Sequence, residues 1–427
     1  MEKFEVIVVG GGLAGLAAAY CLAKDGIEVL VVERGDYSGA KNVTGGRLYL
    51  NPVRHLLPDI WDEAPLERYV CQEIITLMGE KSSTSIRLSS ERFREKPYHS
   101  FTILRAKFDK WFSEKVAEAG GMVVTKQKVD DLIQESGKVQ GIVAGEDKIY
   151  ANVVLVADGA ISLITQKAGL RGNHQPKDFA VGIKEIIEMP SQTIEERFNL
   201  ENGEGAAQLY VGSLTRGMFG GGFLYTNLGS ISLGIVVGIK DLMERQPTIE
   251  APQLIDEFKE RPEVASLIKG GETVEYSAHT ISEGGINTMP RLYSDGILVA
   301  GDAAGFTLNT GLTVRGMEFA LASGVLAAKA IKRAVEKKDF SKQSLSYYEL
   351  LLRDSFIMKD LNTFKGAPRF LNNRNLFTLY PQFFGDTMEK LMFIGDEPKK
   401  KLSSTVFGQV RRLCPSLLKD IWGAFKI

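Results

Sequence analysis

Cysteine and histidine are scarce in this chain of 427 residues, which holds three of the first and four of the second. Cys21, Cys71 and Cys414 stand far apart with no C-x-x-C pair, so one copy cannot offer four thiolates to an iron–sulfur cluster, and the spacing matches no ferredoxin pattern. Cys21 sits among apolar residues and reads as a buried structural thiol. His55, His99, His174 and His279 have no neighbour at metal-ligand spacing, and no metal is assigned. Also missing is any apolar run long enough to span a bilayer. Neither charge sign dominates: the formal net charge is -1, so no global field draws the chain to nucleic acid or anionic lipid. No basic tract interleaved with aromatics suggests a nucleic-acid groove. The first strand begins by residue 4, which leaves no room for a signal peptide, and a cytoplasmic location is expected. Internal repeats and low-complexity tracts are absent.

Glycine, by contrast, is placed with purpose. Residues 6–15 read VIVVGGGLAG, an apolar strand running into Gly10, Gly12 and Gly15, and the next strand-like run ends in Glu33. The first glycine permits a tight turn, the second lets a pyrophosphate approach the backbone, and the third allows a helix to pack closely. The helix that follows then presents free N–H groups, those of Leu13 and Ala14 among them, to phosphate. Glu33, followed by Arg34, is spaced to accept a hydrogen bond from a ribose hydroxyl and disfavours a 2′-phosphate. This is a dinucleotide site.

Which dinucleotide it takes is decided downstream, where residues 296–305 read GILVAGDAAG. A strand ends there in Gly301-Asp302, with Gly305 closing the turn. A flavin carries a ribityl chain whose hydroxyls want such an acceptor at the end of another strand, whereas NAD-dependent dehydrogenases seldom need one. Asp302 also has the plainer reading of a helix N-cap. Between the two elements a third buried strand closes in Ala157, Asp158 and Gly159. Three strand–turn elements spread over the chain make one discontinuous FAD domain.

Residues 40–48, 275–285 and 301–318, which read AKNVTGGRL, EYSAHTISEGG and GDAAGFTLNTGLTVRGME, carry a resemblance over nearly the whole chain. They resemble the FixC/EtfC flavoproteins, relatives of the electron-transfer flavoprotein:quinone oxidoreductases within the geranylgeranyl reductase superfamily. The resemblance implies an α/β fold: a discontinuous Rossmann-like FAD-binding domain of the glutathione reductase/p-hydroxybenzoate hydroxylase type, an inserted β-sheet quinone domain and a C-terminal helical region. It implies an FAD subunit that takes electrons from an electron-transfer flavoprotein of alpha and beta subunits, directly or within a bifurcating NADH/ferredoxin system, and passes them to a membrane quinone such as menaquinone. A small ferredoxin-like protein of the FixX/EtfX type is the further partner, and with three cysteines here any [4Fe-4S] cluster must reside in it. In this the chain departs from the quinone oxidoreductases that carry a fused ferredoxin-like domain. Two other readings stand beside it: a self-contained isoprenoid reductase or aromatic hydroxylase, and a non-catalytic scaffold stabilised by FAD.

Several side chains have two readings each. The resemblance places the loop of Lys41, Asn42, Thr44, Gly45, Gly46 and Arg47 beside the flavin; its composition alone reads as a surface turn. Arg105 reaches the pyrophosphate or opens an exposed helix. The segment holding Asn309, Thr310, Gly311, Leu312 and Thr313 is expected to open a helix whose N–H groups, around residues 311–313, face the flavin edge that becomes negative on reduction. Arg315 adds positive charge at that edge or pairs with a surface carboxylate. Phe219, Phe223, Leu224 and Tyr225 line a quinone channel or pack a core, and His279 donates a proton to quinone or lines the sheet.

The FAD-binding domain is expected over residues 1–56, 100–185 and 284–345, and the quinone domain over 57–99 and 186–283, with residues 227–229 turning between two strands. No second glycine fingerprint marks a nicotinamide domain. Residues 346–427 are expected to be helical patches broken at Pro368, Pro381, Pro398 and Pro415. Aromatics gather at 376–384. Lys399, Lys400, Lys401, Arg411, Arg412, Lys419 and Lys426 stand near Leu417, Leu418, Ile421, Trp422 and Phe425 at near-helical spacing, which reads either as peripheral membrane attachment or as an amphipathic helix packed on the FAD domain or on a partner subunit.

Overall fold

The computed structural model describes residues 3–41, 46–399, 401–404 and 420. Two sheets organise them. In the first, the strands Ile297–Val299, Asp147–Val156, Lys3–Val9, Val29–Val32 and Met122–Val124 lie side by side and parallel. Their central members are unbroken apolar runs because both faces are buried, which is the usual environment of a parallel strand. The helices Leu13–Lys24 and Met317–Lys337 pack on it and on each other. Their approach is close enough that a Cβ at Gly324 would lie 2.1 Å from the Ala14 carbonyl oxygen.

The second sheet is mostly antiparallel, in the order Glu272–Ser282, Phe179–Glu188, Ser230–Gly238, Gly220–Thr226, Glu204–Gly212, Leu66–Met78, Ser100–Ile103 and Arg47–Tyr49, with Ser83–Ser89 beside Leu66–Met78. The Asn227 N–H bonds to the Ser230 carbonyl across the turn joining two of these strands. Strand side chains alternate between faces. One face packs Leu224, Leu233 and Ile235 into a core beneath the helices Ser191–Phe198, Ala251–Glu260 and Pro262–Ile268; the other looks toward the first sheet.

The strands at 47–49 and 100–103, and the whole of 179–188, hydrogen-bond into this second sheet, although the sequence boundaries at 56, 100 and 185 group them with the nucleotide-binding unit. An apolar run shows that a strand forms but not which sheet receives it. The C-terminal region also differs from expectation at its prolines. Pro368 and Pro381 lie in the first turns of the helices Ala367–Leu371 and Leu379–Met392, where a missing N–H costs nothing, so they open helices instead of breaking them. Helix Leu379–Met392 lies against the second sheet, and Gln382 accepts the Glu80 N–H at 2.8 Å. Among the described residues no helix is long and apolar enough to cross a membrane.

Candidate functional site

A single cavity of about 1620 Å³ runs from the strand ends of the first sheet, along the open face of the second, to the C-terminal helices. Its polar end is built on the glycine turn. Gly10 has φ +105°, and a Cβ there would meet the Ala157 carbonyl oxygen at 2.4 Å. At Gly15 a Cβ would lie 2.0 Å from the Gly10 carbonyl oxygen, so this glycine sets helix packing and stands behind the cavity wall. Gly12, extended and with no side-chain cap, leaves the first N–H groups of the helix facing the cavity between Leu13 and Ala14. Glu33 is buried at the rim beside Arg34. Its carboxylate accepts the Gly11 N–H at 2.7 Å and the Gly35 N–H at 2.6 Å, which fixes its orientation.

Asp302 lies on the short turn Gly301–Ala304. It caps no helix, since Ala300 holds the cap position, and among the described residues its carboxylate has no hydrogen-bond donor. Burial pushes its carboxyl above the usual range, while the Arg105 guanidinium acts in the opposite direction. Arg105 faces the cavity from a buried pair with Asp109, at 2.7 and 2.8 Å. A glycine cradle without side chains, uncapped N–H groups, a fixed carboxylate and a half-buried acceptor lacking a partner among the described residues together fit a dinucleotide carrying a polyol chain. Ala157, Asp158 and Gly159 line the same end, with Asp158 accepting from Ser162 Oγ at 2.6 Å. Gly305 does not line it: with φ +76° it closes the turn by donating to the Asp302 carbonyl.

The middle of the cavity corrects one expectation. Residues 310–313 do not open a helix; they are the turn of a hairpin between Leu308–Asn309 and Val314–Arg315, and the long helix starts at Met317. Side chains decide this. Asn309 Oδ1 accepts the Gly311 N–H at 2.9 Å, Thr310 Oγ1 accepts the Thr313 N–H at 3.1 Å, and Gly311 takes φ +82°. Two of the N–H groups expected to face a cofactor are therefore already bonded, although Asn309 through Thr313 all line the cavity. Arg315 lines it too but carries no spare charge. It donates at 2.6 Å to both Glu318 and Asp360, and Glu318 is buried, not the surface carboxylate anticipated. Lys41, Gly46 and Arg47 also line the wall, with Arg47 committed to Glu73 at 2.7 Å and stacked over Tyr49. Asn42, Thr44 and Gly45 lie outside the described residues.

At the apolar end, Phe219, Phe223, Tyr225 and His279 face the cavity, with the rings of Phe223 and Tyr225 stacked 5.3 Å apart. Leu224 does not join them. Strand alternation turns it to the opposite face, fully buried in the core under the sheet. Burial and the charges of Arg105 and Arg34 hold His279 below the ordinary histidine value, so it is neutral at pH 7.

Sequence reasoning missed Lys184 and Glu283, which line the cavity from the second sheet and its exit. Alternation along 179–188 could have flagged Lys184. Nor did it assign the aromatic segment at 376–384 to the wall, yet Leu376, Phe377, Tyr380 and Phe384 close the apolar end, Phe377 edge-on to Phe219 at 5.8 Å. Burial raises the thiols of Cys21 and Cys71 to about 11, leaving both neutral. Cys414 lies outside the described residues, as does nearly all of the basic amphipathic segment.

Comparison with known proteins gives three family matches: FAD dependent oxidoreductase over residues 5–85, ETF-QO ubiquinone-binding over 179–281, and the ETF-QO/FixC family C-terminal domain over 367–427. Protein FixC of Escherichia coli strain K12 is 45% identical over 381 residues, covering 89% of this chain and 88% of that protein. The probable electron transfer flavoprotein-quinone oxidoreductase YdiS of the same strain is 41% identical over 420 residues, covering 98% and 97%. Among solved structures, a geranylgeranyl bacteriochlorophyll reductase-like protein from Thermoplasma acidophilum superposes with TM-score 0.74 at 24% identity, covering 99% of this chain and 100% of that one. The flavin-dependent brominase Bmp2 does so with TM-score 0.64 at 18% identity, covering 96% and 99%. Those two likenesses speak to the fold alone.

Proposed function

The chain belongs to the FixC/electron transfer flavoprotein-quinone oxidoreductase family, and from that premise we propose that it binds FAD at the polar end of the cavity and reduces a quinone at the apolar end. One observation carries this reading: a single continuous cavity joins a glycine cradle with a fixed carboxylate to a wall of aromatic side chains on the second sheet. Bound FAD supplies reversible two-electron chemistry with access to one-electron steps. The protein supplies placement. The Gly10–Ala14 turn holds the pyrophosphate, Glu33 the adenine-side ribose and Asp302 the ribityl chain, while Phe219, Phe223, Phe377 and Tyr380 give a quinone ring an apolar slot.

The electrons come from an electron-transfer flavoprotein heterodimer. Its sulfur-ligated relay is assigned to a separate, small ferredoxin-like protein of the FixX type, since the three cysteines of this sequence fall short of the four thiolates a cluster needs. Quinone is confined to the bilayer, so the protein attaches to the membrane surface through the C-terminal basic and apolar residues, and menaquinone is the acceptor tested first.

The purified chain should be yellow and release FAD on denaturation. Glu33→Ala should loosen FAD by about 1.5–3 kcal/mol, the range for a hydrogen bond to a charged acceptor. This amounts to roughly ten- to a hundredfold in dissociation constant, read from flavin fluorescence on dilution. Recovery of FMN or NADP, or a loaded protein that passes no electrons from electron-transfer flavoprotein to any quinone, overturns the reading.

A further inference from the structure

Reduction of a quinone to a quinol consumes two protons as well as two electrons, so protons have to reach the apolar end of the cavity. His279 is held neutral there, and the Tyr225 hydroxyl is made a weaker acid by burial. Glu283 stands apart. It lines the main cavity and also a second cleft of about 330 Å³, whose other walls include the exposed Lys177, Lys365 and Arg369. A half-buried carboxyl group thus sits where a cleft rimmed by exposed cations meets the main cavity.

The local geometry fixes it at that junction. The Glu283 backbone N–H donates to the Asp178 carbonyl at 2.8 Å, and Thr307 Oγ1 holds the preceding Ser282 carbonyl at 2.9 Å. Asn309 Nδ2 donates to Glu283 Oε2 at 3.3 Å, and the orientation of that amide is set because its Oδ1 already accepts the Gly311 N–H. One carboxyl oxygen is thereby given an acceptor role, which leaves the other to carry a proton. The charged groups around it are Lys177 and Asp178 on the turn before the Phe179–Glu188 strand, Lys365 and Arg369 on the C-terminal helices, and His279 and Arg315 along the main cavity. Among the described residues no cation forms an ion pair with Glu283, and Arg315 is held by Glu318 and Asp360.

We propose that Glu283 is a proton relay, loaded from water in the small cleft and unloading toward the quinone in the main cavity. The proposal rests on the functional reading above. Each transfer breaks the Glu283 O–H bond, forms a quinol O–H bond and leaves a carboxylate, which takes its next proton from the cleft. Two such cycles match the two electrons delivered by the electron-transfer flavoprotein. Burial pushes the Glu283 carboxyl up to about 7, against the opposing pull of the Asn309 hydrogen bond, so both protonation states are accessible near neutrality.

Two measurements on the purified holoprotein test this. Infrared difference spectra between acid and alkaline buffer should show a protonated-carboxyl band that titrates near pH 7 and is missing from Glu283→Gln; a band unchanged by the substitution overturns the proposal without reference to turnover. In the second, the protein is reduced and then oxidised either by a water-soluble quinone or by ferrocenium, which takes an electron and no proton. The ratio of quinone to ferrocenium rate should fall about 10²-fold in Glu283→Gln, the range for loss of a positioned acid, and recover in part in Glu283→Asp. In the wild type the quinone rate should decline as pH rises through about 7, and Glu283→Gln should flatten that profile. An unchanged ratio overturns the relay alone. A wild type that reduces ferrocenium but no quinone overturns the functional reading and the relay with it.

Discussion

Gly15→Val is expected to yield a chain that cannot retain FAD. The smallest possible addition at this position, a single Cβ, would stand 2.0 Å from the Gly10 carbonyl oxygen and 3.0 Å from Val8 Cγ1. The first of these neighbours is backbone and cannot swing aside. To make room, the helix Leu13–Lys24 must lift off the strand Lys3–Val9, and its uncapped N–H groups then move away from the proposed pyrophosphate position. Overpacking of this kind costs about 1–3 kcal/mol even where side chains can adjust, and here they cannot. The measurements are flavin content per chain after gel filtration and thermal unfolding with and without added FAD. Gly172→Ala, where a Cβ meets nothing within 4 Å, is the matched control and should keep its flavin. A Gly15→Val protein that is yellow at full stoichiometry would show that the glycine turn does not cradle the cofactor.

The polar end of the cavity was legible in the sequence because its chemistry lies in the backbone. A residue without a side chain at Gly10 and at Gly15, placed between an apolar strand and a run of small residues, has few uses other than close approach. Glu33 was legible for a similar reason, as a carboxylate at the end of a neighbouring parallel strand. Where side chains compete with the backbone, the reading failed. The apolar spread after residue 310 has helical character, but Asn309 and Thr310 bond to the N–H groups of Gly311 and Thr313 and hold a hairpin turn there instead, which delays the helix to Met317. Leu224 failed by parity: the three consecutive residues Phe223, Leu224 and Tyr225 look equivalent in a list, yet a strand sends alternate ones to opposite faces.

The apolar end was the least legible part, because it is assembled from segments far apart in the chain. Phe219 meets Phe377 only because the helix Leu379–Met392 folds back onto the second sheet, and Glu283 meets Asn309 only across the exit of that sheet. Nothing in the local composition of residues 376–384 distinguishes a cavity wall from a membrane-facing surface, since both demand aromatic and aliphatic side chains. The distinction lies in what is packed opposite. Family resemblance pointed to the block holding Glu283 but assigned that glutamate no role; its place between two cavities is visible only in three dimensions.

The same long-range assembly makes Arg68→Met the substitution expected to cost most in stability. Arg68 is fully buried, and its guanidinium ties the second sheet to the helix Ser191–Phe198. Nε donates to the Asn227 carbonyl at 2.7 Å, Nη1 to the Glu204 carbonyl at 3.0 Å, and Nη2 to Ser191 Oγ at 2.6 Å, with Glu195 Oε1 at 2.9 Å. Methionine matches the length of the stem and fills much of the space, but it donates nothing. Two buried carbonyls would be left unpaired and Glu195 would lose its counter-ion, and breaking a buried pair from one side costs about 3–5 kcal/mol. Arg68→Lys should recover only part of this, because an ammonium cannot reproduce the planar fork that reaches the Asn227 and Glu204 carbonyls together. Denaturant unfolding followed by fluorescence would read the difference as a lower midpoint. Because the turn at Asn227 joins the strands Gly220–Thr226 and Ser230–Gly238, whose open face lines the cavity, quinone reduction should become heat-labile before FAD is released. A loss below about 1 kcal/mol, the size expected of an exposed ion pair, would mean that the fork adds nothing beyond packing and that the sheet is held by its apolar core alone.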